Sequence, residues 1–392
     1  MTINLRTEVE AIQDEITATR RHLHQHPELG FEEFETAKFV ASRLEELGVA
    51  VQTNVGKTGV VGILQGADAG PTIGLRADMD ALPIQETNDL PFKSENECVM
   101  HACGHDGHMA MLLGAARILS EKREDLKGTV KFIFQPAEEG GGGSRYMIED
   151  GVLKNPDVDE IYGIHLWNYQ EFGTIGVKDG PTLAAADKFT ITIRGKGGHG
   201  AAPQGTVDAI VVAAQLVTNF QTIVSRNTNP LESTVVSIGK IDGGDSFNII
   251  ADKVTLYGTA RAYSEENRQL IIRRMNEIAD GIAKTYGAEI ALDYKDGYPL
   301  TVNTQAEVGK LTKAAREIVG DNVGFPYLSM GGEDFSYFLQ QVPGCFFFVG
   351  SAPEDKEPMS VPHHCSHFDI NEKALLVGTS VLVQLVEDLL LK

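Results

Sequence analysis

The chain reads Val130-Lys131-Phe132-Ile133-Phe134-Gln135-Pro136-Ala137-Glu138-Glu139-Gly140 where an apolar run stops at two carboxylates. Its first five residues predict a buried strand, because a short apolar run that ends at turn-forming residues is typical of one. Similar runs at 60–64, 72–75 and 160–166 predict further strands, and a helix is predicted at about 107–121. Strands that alternate with helices indicate an α/β domain with a mainly parallel central sheet.

The pattern changes near residue 186, where 188–194 alternates polar and apolar residues as a half-exposed strand does. Predicted elements then follow in the order β-α-β-β-α-β, which is a ferredoxin-like signature. They are a helix at about 206–224, strands at 233–241 and 252–262, a helix at 264–285 and a strand at 288–294.

A chain of 392 residues is long for one core and fits two domains. Amphipathic helices are predicted at about 5–26 and 35–48, and an apolar helix at about 370–390. We therefore predict a discontinuous domain made of 1–186 and 297–392. A smaller α+β domain, 187–296, is predicted as an insertion.

Composition and charge argue against nucleic-acid-binding and membrane-bound classes of protein. The formal net charge of −21 argues against a nucleic-acid partner, which needs a basic surface, and an anionic membrane would repel the protein. No apolar run approaches the ~20 residues that span a bilayer, and the N-terminus lacks an apolar signal segment. The four cysteines form no CxxC pair or disulfide framework, so a soluble protein of the reducing cytoplasm is expected.

The segment Met100–His108 brings a thiol and imidazoles together. Cys103 and His105 are two residues apart, so an extended backbone would point both side chains the same way. Sulfur and nitrogen ligands suit zinc, nickel, cobalt or manganese better than magnesium or calcium. The alternative is a buried cysteine that packs as a small apolar side chain beside a helix start. The histidines at 22, 24 and 26 do not share one helix face, so no metal site is predicted there.

Glu138 and Glu139 stand at the carboxyl end of a predicted strand, where α/β sheets build their sites. Adjacent side chains point in different directions, so one could bind metal while the other moves protons. The alternative is a solvated acidic turn.

Three further elements carry metal-binding side chains. His165 ends a predicted strand, although a core histidine would look the same. His363 and His364 lie in a His-rich loop that could equally be an exposed tract. Asp78 and Asp80 end another strand and could bind metal or orient a ligating imidazole. Four of the five elements end predicted strands of one domain, which argues against coincidence.

These residues resemble the aminoacylase/carboxypeptidase family of two-metal hydrolases (peptidase family M20), over essentially the whole chain. The resemblance is to the branch with hippurate hydrolase, N-acyl-L-amino-acid deacetylases and indole-acetyl-amino-acid hydrolases. The matching motifs are Arg21–Gly30, Asp78–Pro83, His101–Asp106, Pro136–Gly140 and the His364 loop. The implied fold is a phosphorylase/hydrolase-like catalytic domain with an inserted ferredoxin-like lid and dimerisation domain.

The resemblance implies two divalent metal ions held by Cys103, His105, Glu139, His165 and His364. Cys103 would lie between the metals, with Glu138 as general base and Asp80 as a carboxylate behind the ligands. Asp78 stands where other branches place a metal-binding histidine. His363 competes with His364 as the last ligand, and the spacing to Phe368 favours His364.

Within the predicted lid, Gly195–Pro203 resembles a family motif whose histidine, His199, would polarise the scissile carbonyl, often from the partner subunit. Asn248 and Arg261 match positions that contact the substrate carboxylate or carbonyl, and an arginine fork suits a carboxylate. The motif Gly331–Phe335 would shape the site wall. A homodimer or homotetramer through the lid is implied.

The expected function is metal-dependent hydrolysis of the amide bond of small N-acyl L-amino acids, with N-acetyl or aromatic acyl groups. A dipeptidase or carboxypeptidase with the same metals is the first alternative. A non-catalytic amino-acid or metal-binding protein on a hydrolase scaffold is the second. A metal-independent thiol amidase that uses Cys103 is the third.

Overall fold

The computed structural model describes residues 3–354 and 356–391, which form two compact units. Unit 1 contains 3–182, 302–327 and 334–391 of the described chain, and unit 2 contains 183–301 and 328–333. The predicted insertion, 187–296, falls inside unit 2. Each unit has its own cluster of buried apolar side chains.

An eight-stranded mixed sheet forms the centre of unit 1, in the order β1-β2-β4-β3-β5-β16-β6-β15. Its strands are β1 (Ala50–Val55), β2 (Gly59–Gln65), β3 (Asp68–Asp78), β4 (Lys127–Gln135), β5 (Glu160–Trp167), β6 (Ile175–Gly176), β15 (Val323–Gly324) and β16 (Gly344–Gly350). A separate two-stranded sheet pairs β7 (Gly180–Leu183) with β14 (Thr301–Asn303).

Parallel pairing is confined to part of this sheet. β4, β3, β5 and β16 run parallel as neighbours, whereas β1 with β2, β2 with β4, and β16 with β6 are antiparallel. The edge pair β6 and β15 is also parallel, so four of the seven described pairings are parallel and the sheet is mixed. The antiparallel edge follows from the tight turn at Gly56 and Lys57, both at positive φ, which folds β2 back on β1.

The helices of unit 1 pack on one another and on the sheet. They are α1 (Thr7–Ala11), α2 (Gln13–Gln25), α3 (Phe34–Glu46), α4 (His105–Glu121), α5 (Gly143–Glu149), α8 (Gln305–Val319), α9 (Ser336–Leu339) and α10 (Lys373–Leu390). α4 and α10 are the most buried, and they contact each other.

The predicted helix at 5–26 is two helices. Ile12 leaves the helical region, with φ −111° and ψ 17°. α1 is held to α10 by Arg6, which binds Glu387 and Gln384, whereas α2 packs on α4.

Unit 2 is an α+β sandwich with an antiparallel sheet in the order β10-β12-β8-β13. Its strands are β8 (Ala185–Arg194), β10 (Thr234–Gly243), β12 (Lys253–Ala262) and β13 (Glu289–Tyr298), and its helices are α6 (Ala209–Thr222) and α7 (Glu265–Tyr286). Apolar residues of both helices and of the sheet form its core. The short strands β9 (Gly198–His199) and β11 (Ile249–Ile250) pair beside it. This β-α-β-β-α-β chain order is the one predicted from the sequence.

Among the described residues, no helix is both long enough and apolar enough to cross a membrane.

Candidate metal centre

The candidate site lies in unit 1, where β3, β4 and β5 end. Asp78 is the last residue of β3, Glu138 and Glu139 follow β4, and His165 lies near the end of β5. Because these three neighbouring strands are parallel, their carboxyl ends share one edge of the sheet. Chain segments that are far apart in sequence therefore deliver carboxylates and an imidazole to the same place.

The loop before α4 supplies the thiol and a second imidazole. The predicted extended backbone from Cys103 to His105 is wrong, because Gly104 adopts φ 91° and His105 already begins the helix. A left-handed turn of this kind suits glycine, which lacks a Cβ. Cys103 and His105 are nevertheless brought together, since their ligand atoms and that of His165 all lie within 4.8 Å of one another.

Two groups of ligand atoms share the Cys103 sulfur. We call Cys103, His105 and His165 centre A, and Cys103, Glu139 and His364 centre B. In each group the candidate ligand atoms lie within 4.8 Å of one another. The five residues predicted as ligands are thus gathered into one cluster.

Both imidazoles of centre A have their ring orientation fixed by a backbone oxygen. The Nδ1 of His105 donates to the carbonyl of Asp80 at 2.8 Å, and the Nδ1 of His165 donates to the carbonyl of Leu166 at 2.5 Å. In each ring it is therefore Nε2, and not Nδ1, that is left for another partner. The Nε2 of His165 lies 3.6 Å from the Cys103 sulfur, and the buried Nε2 of His105 finds no hydrogen-bond partner among the described residues.

In centre B, the Nε2 of His364 lies 2.9 Å from Oε1 of Glu139. That buried oxygen nevertheless accepts no hydrogen bond from any described residue, so the two atoms converge without hydrogen-bond geometry. Lone pairs aimed at a common point are what a metal ion requires. His364 stands at φ 62°, and its N–H donates to the carbonyl of Ala102, which ties its loop to the Cys103 loop.

The neighbouring His363 is engaged differently. Its Nε2 accepts the N–H of Asn168 at 3.2 Å, which places the ring proton on Nδ1, 3.8 Å from the Cys103 sulfur. His363 thus offers a donor to the sulfur, whereas His364 offers a lone pair to centre B. This geometry favours His364 over His363 as a ligand.

Asp80 holds the loop that carries the two glutamates. Its two carboxylate oxygens accept the N–H groups of Glu138 and Glu139, each at 2.9 Å. Glu33, which the sequence reasoning missed, accepts the N–H of Ala137 at 2.8 Å from the other side. Ala137 adopts φ 49°, so this loop is held in a conformation that a non-glycine residue seldom takes unaided. The carboxylate of Glu138 lies within 4.8 Å of His105 and Glu139.

Asp78 is fully buried, and both of its carboxylate oxygens are engaged. Oδ1 accepts a hydrogen bond from His108 at 2.6 Å, and Oδ2 accepts one from Arg76 at 2.8 Å. Asp78 also lies 3.6 Å from the Nε2 of His105. A carboxylate that is already committed to two donors is a poor candidate ligand, and it acts here as a support behind the cluster.

The electrostatics of the cluster favour a cation. Burial opposes a charge on His105, but the carboxylates of Asp78, Asp80 and Glu139 outweigh it and raise the pKa of His105 to about 10. Burial and the nearby glutamates raise the pKa of the Cys103 thiol. Metal-free Cys103 therefore stays protonated at neutral pH, which argues against a metal-independent thiol nucleophile. A divalent ion would displace both protons.

The histidines of the first helices lie outside the metal cluster. His24 is fully buried and bonds Asp106 at 2.8 Å and Glu86 at 3.2 Å. Arg20, also fully buried, donates to the same oxygen of Asp106 at 2.9 Å. The sequence reasoning missed this network, which anchors α2 to the first turn of α4 beside His105.

The predicted substrate-contacting residues belong to unit 2. His199 is exposed, and its Nδ1 accepts the N–H of Ala201 at 3.0 Å, so its Nε2 carries the proton and is a donor. Asn248 is tied to the same short hairpin, because its carbonyl accepts the N–H of Gly200 at 2.8 Å. The Nε of Arg261, on β12, donates to Thr259 at 3.2 Å.

In the predicted wall motif, Asp334 accepts hydrogen bonds from Arg76 and Gln135, both within unit 1.

The donor set fits a pair of divalent ions. One thiol, imidazole nitrogens and one carboxylate are ligands that zinc, cobalt, nickel and manganese accept. The buried Nε2 of His105 and the buried Oε1 of Glu139, neither with a hydrogen-bond partner in the described chain, are the atoms that such ions would engage.

The family model described as peptidase family M20/M25/M40 matches residues 74–388. "Putative amidohydrolase YhaA" of Bacillus subtilis (strain 168) is 48% identical over 373 residues, which cover 94% of this chain and 93% of that protein. "IAA-amino acid hydrolase ILR1-like 4" of Arabidopsis thaliana is 42% identical over 377 residues, 94% of this chain and 84% of that protein.

"N-acetyl-L-cysteine deacetylase" of Bacillus subtilis (strain 168) is 40% identical over 388 residues, 99% of this chain and 90% of that protein. Among solved structures, the Bacillus subtilis YXEP protein, described as a dinuclear metal binding peptidase, superposes with a TM-score of 0.84 at 37% identity. That match covers 97% of this chain and 99% of that one. These similarities extend over both units.

Proposed function

The chain belongs to peptidase family M20/M25/M40 and is an enzyme that acts on amide bonds, and from this premise we propose that it hydrolyses N-acyl L-amino acids with two divalent metal ions. The products are a carboxylic acid and a free amino acid. The observation that carries the proposal is the pair of ligand groups that share the Cys103 sulfur. Two relatives support the substrate class, one named an IAA-amino acid hydrolase and the other an N-acetyl-L-cysteine deacetylase.

In this proposal centres A and B would each hold one ion, and Cys103 is a candidate ligand of both. Ions bound there supply a water of lowered pKa and polarise the scissile carbonyl. Zinc, manganese, nickel and cobalt all fit the donor set, and the identity of the ion depends on availability as well as affinity.

Glu138 is the proposed general base. It takes the proton of the attacking water and returns it to the leaving nitrogen. Its place beside His105 and Glu139 supports this role, because those two residues are candidate ligands of different centres. Asp80 keeps Glu138 in position by accepting a hydrogen bond from the backbone N–H of Glu138.

Residues of unit 2 are the proposed contacts to the rest of the substrate. His199 donates from Nε2 to the carbonyl oxygen as negative charge develops there. The Nε2–H that follows from its bond to Ala201 supports this role. Arg261 and Asn248 bind the carboxylate of the amino acid, for which the guanidinium offers paired donors.

A homodimer through unit 2 is also proposed. β10 is an edge strand of the unit 2 sheet, and an edge strand presents backbone groups that a second copy can pair with. Ile241 on this strand is 57% exposed, and Ile210 on α6 is 49% exposed. An Ile241→Lys variant is expected to run as a monomer in light scattering, and an unchanged mass would remove β10 from the interface.

Two adjacent glutamates give a matched test of the metal mechanism. With N-acetyl amino acids as substrates, Glu138→Gln is expected to keep both metal ions and lose about 10²–10⁴ in kcat. Glu139→Gln is expected to lose metal from centre B. Turnover of Glu138→Gln close to that of the parent protein would overturn the assignment.

A substrate panel tests the proposed substrate class. N-acetyl and N-benzoyl amino acids are compared with dipeptides on metal-reconstituted protein. Higher kcat/KM for N-acyl amino acids is expected, and higher values for dipeptides would favour the carboxypeptidase or dipeptidase alternative.

A further inference from the structure

His108 lies beside centre A but offers it no lone pair. It is fully buried in α4, and both ring nitrogens are engaged. Nε2 accepts the N–H of Leu166 at 2.8 Å, and Nδ1 bonds Oδ1 of Asp78 at 2.6 Å. The backbone N–H can only donate, so Nε2 must be unprotonated and Nδ1 must carry the proton. The carboxylate of Asp78, which can only accept, selects this tautomer.

The hydrogen bond to Nε2 of His108 comes from the backbone of a strand residue, Leu166 of β5. β3 pairs with β5 only as far as Arg76 and Gly163, whereas β16 pairs with β5 as far as Trp167. His108 accepts the N–H of Leu166, which has no partner in β3. The carbonyl of the same residue accepts the Nδ1–H of His165, which leaves the Nε2 of His165 directed at Cys103.

Side-chain packing restrains Leu166 as well. It is fully buried, and a Cβ on Gly107 of α4 would lie 2.4 Å from its Cδ1. The absence of a side chain at Gly107 therefore lets α4 approach β5 closely enough for His108 to reach the Leu166 N–H. Arg76 completes the support, because it binds the other oxygen of Asp78 at 2.8 Å.

We propose that His108, held in its Nδ1–H tautomer by Asp78, is a positioning residue that fixes the Leu166 peptide and thereby aims the Nε2 of His165 into centre A. This inference rests on the proposed role of His165 as a metal ligand. Its expected consequence is selective: losing the Leu166 contact weakens metal binding at centre A and spares centre B, which His165 does not serve. Loss of a residue that orients a metal ligand lowers metal affinity by about 10–100-fold.

Two amide substitutions at His108 separate its two contacts. An asparagine amide reaches the place of Nδ1, toward Asp78, whereas a glutamine amide reaches the place of Nε2, toward the Leu166 N–H. Zn²⁺ is titrated into metal-free protein against a competing chelator. His108→Gln is expected to keep two sites within about threefold of the parent affinity, and His108→Asn to lose about 10–100-fold at one site only. Equal affinities for the two variants, or the reverse order, would overturn the proposal.

His165→Ala distinguishes this inference from the proposed function. It must weaken one Zn²⁺ site and leave the other, and unchanged binding would refute the ligand assignment itself. A weakened site in His165→Ala together with equal binding by both His108 variants would refute the positioning role alone. Unfolding of the metal-free variants by urea reports whether each has folded.

A measurement on the parent protein keeps the test independent of variant folding. The ¹⁵N resonances of His108 report which ring nitrogen carries the proton. The proposal requires an unprotonated Nε2, and a ring protonated at Nε2 would contradict it.

Discussion

Replacing Asp106 by asparagine probes the buried network that supports the metal loop. One oxygen of Asp106 accepts hydrogen bonds from Arg20 at 2.9 Å and His24 at 2.8 Å, and all three side chains are fully buried. Removing one partner of a buried ion pair costs about 3–5 kcal/mol, because the other charge stays buried. Arg20 keeps contacts to Asp369 and Glu372, whose side chains are 32% and 23% exposed, so we expect about 3 kcal/mol.

The assay is urea unfolding monitored by the fluorescence of unit 1. Metal-free protein is used so that differences in metal affinity do not affect the comparison. A loss of about 3 kcal/mol corresponds to a fall in Tm of about 6–12 °C for a unit of this size. Asp157→Asn is the matched control, because its 3.4 Å contact to Lys154 joins two exposed side chains and is worth under about 1 kcal/mol. A loss in the free energy of unfolding of Asp106→Asn below about 1 kcal/mol would show that this buried network does not stabilise unit 1.

Two further perturbations test other buried carboxylates. Burial would raise the pKa of Glu86, but hydrogen bonds from His24 and from the N–H of Ser94 outweigh it and lower the pKa. A carboxylate whose pKa is lower in the folded than in the unfolded protein stabilises the fold at pH values above its unfolded pKa, about 4.3. The free energy of unfolding that Glu86→Gln loses at pH 7 should therefore shrink as the pH falls below 4. A difference in urea midpoints that does not change with pH would count against this. In unit 2, Asp187 accepts two hydrogen bonds from Arg268, at 2.8 and 2.6 Å. Asp187→Asn is therefore expected to destabilise unit 2 by about 3 kcal/mol and to speed amide hydrogen exchange throughout it. Unchanged exchange would show that this ion pair does not stabilise unit 2.

Local patterns predicted much of the architecture. Apolar runs and their spacing predicted β4 and β5, and the alternation in β8 marked the change to unit 2. Such features depend on neighbours in sequence, so they can be recognised without the fold. The prediction that strand ends carry the site follows from the same logic, since parallel strands end at one edge of a sheet.

Contacts between distant segments were not predictable in this way. Nothing near Asp78 in the sequence signals that His108, thirty residues away, would bond one of its oxygens. The bonds of Asp106 to Arg20 and His24 span more than eighty residues and depend on α2 packing against α4. The turn at Gly104 was missed for a different reason, because period-two spacing is shared by a strand and by this irregular loop.

The central claim is that the Cys103 sulfur is shared by two divalent ions. Anomalous diffraction from crystals of zinc-reconstituted protein, recorded at the zinc absorption edge, tests it directly. Two peaks are expected, each about 2.3 Å from that sulfur, one toward His165 and one toward His364. A single peak, or peaks remote from Cys103, would contradict it.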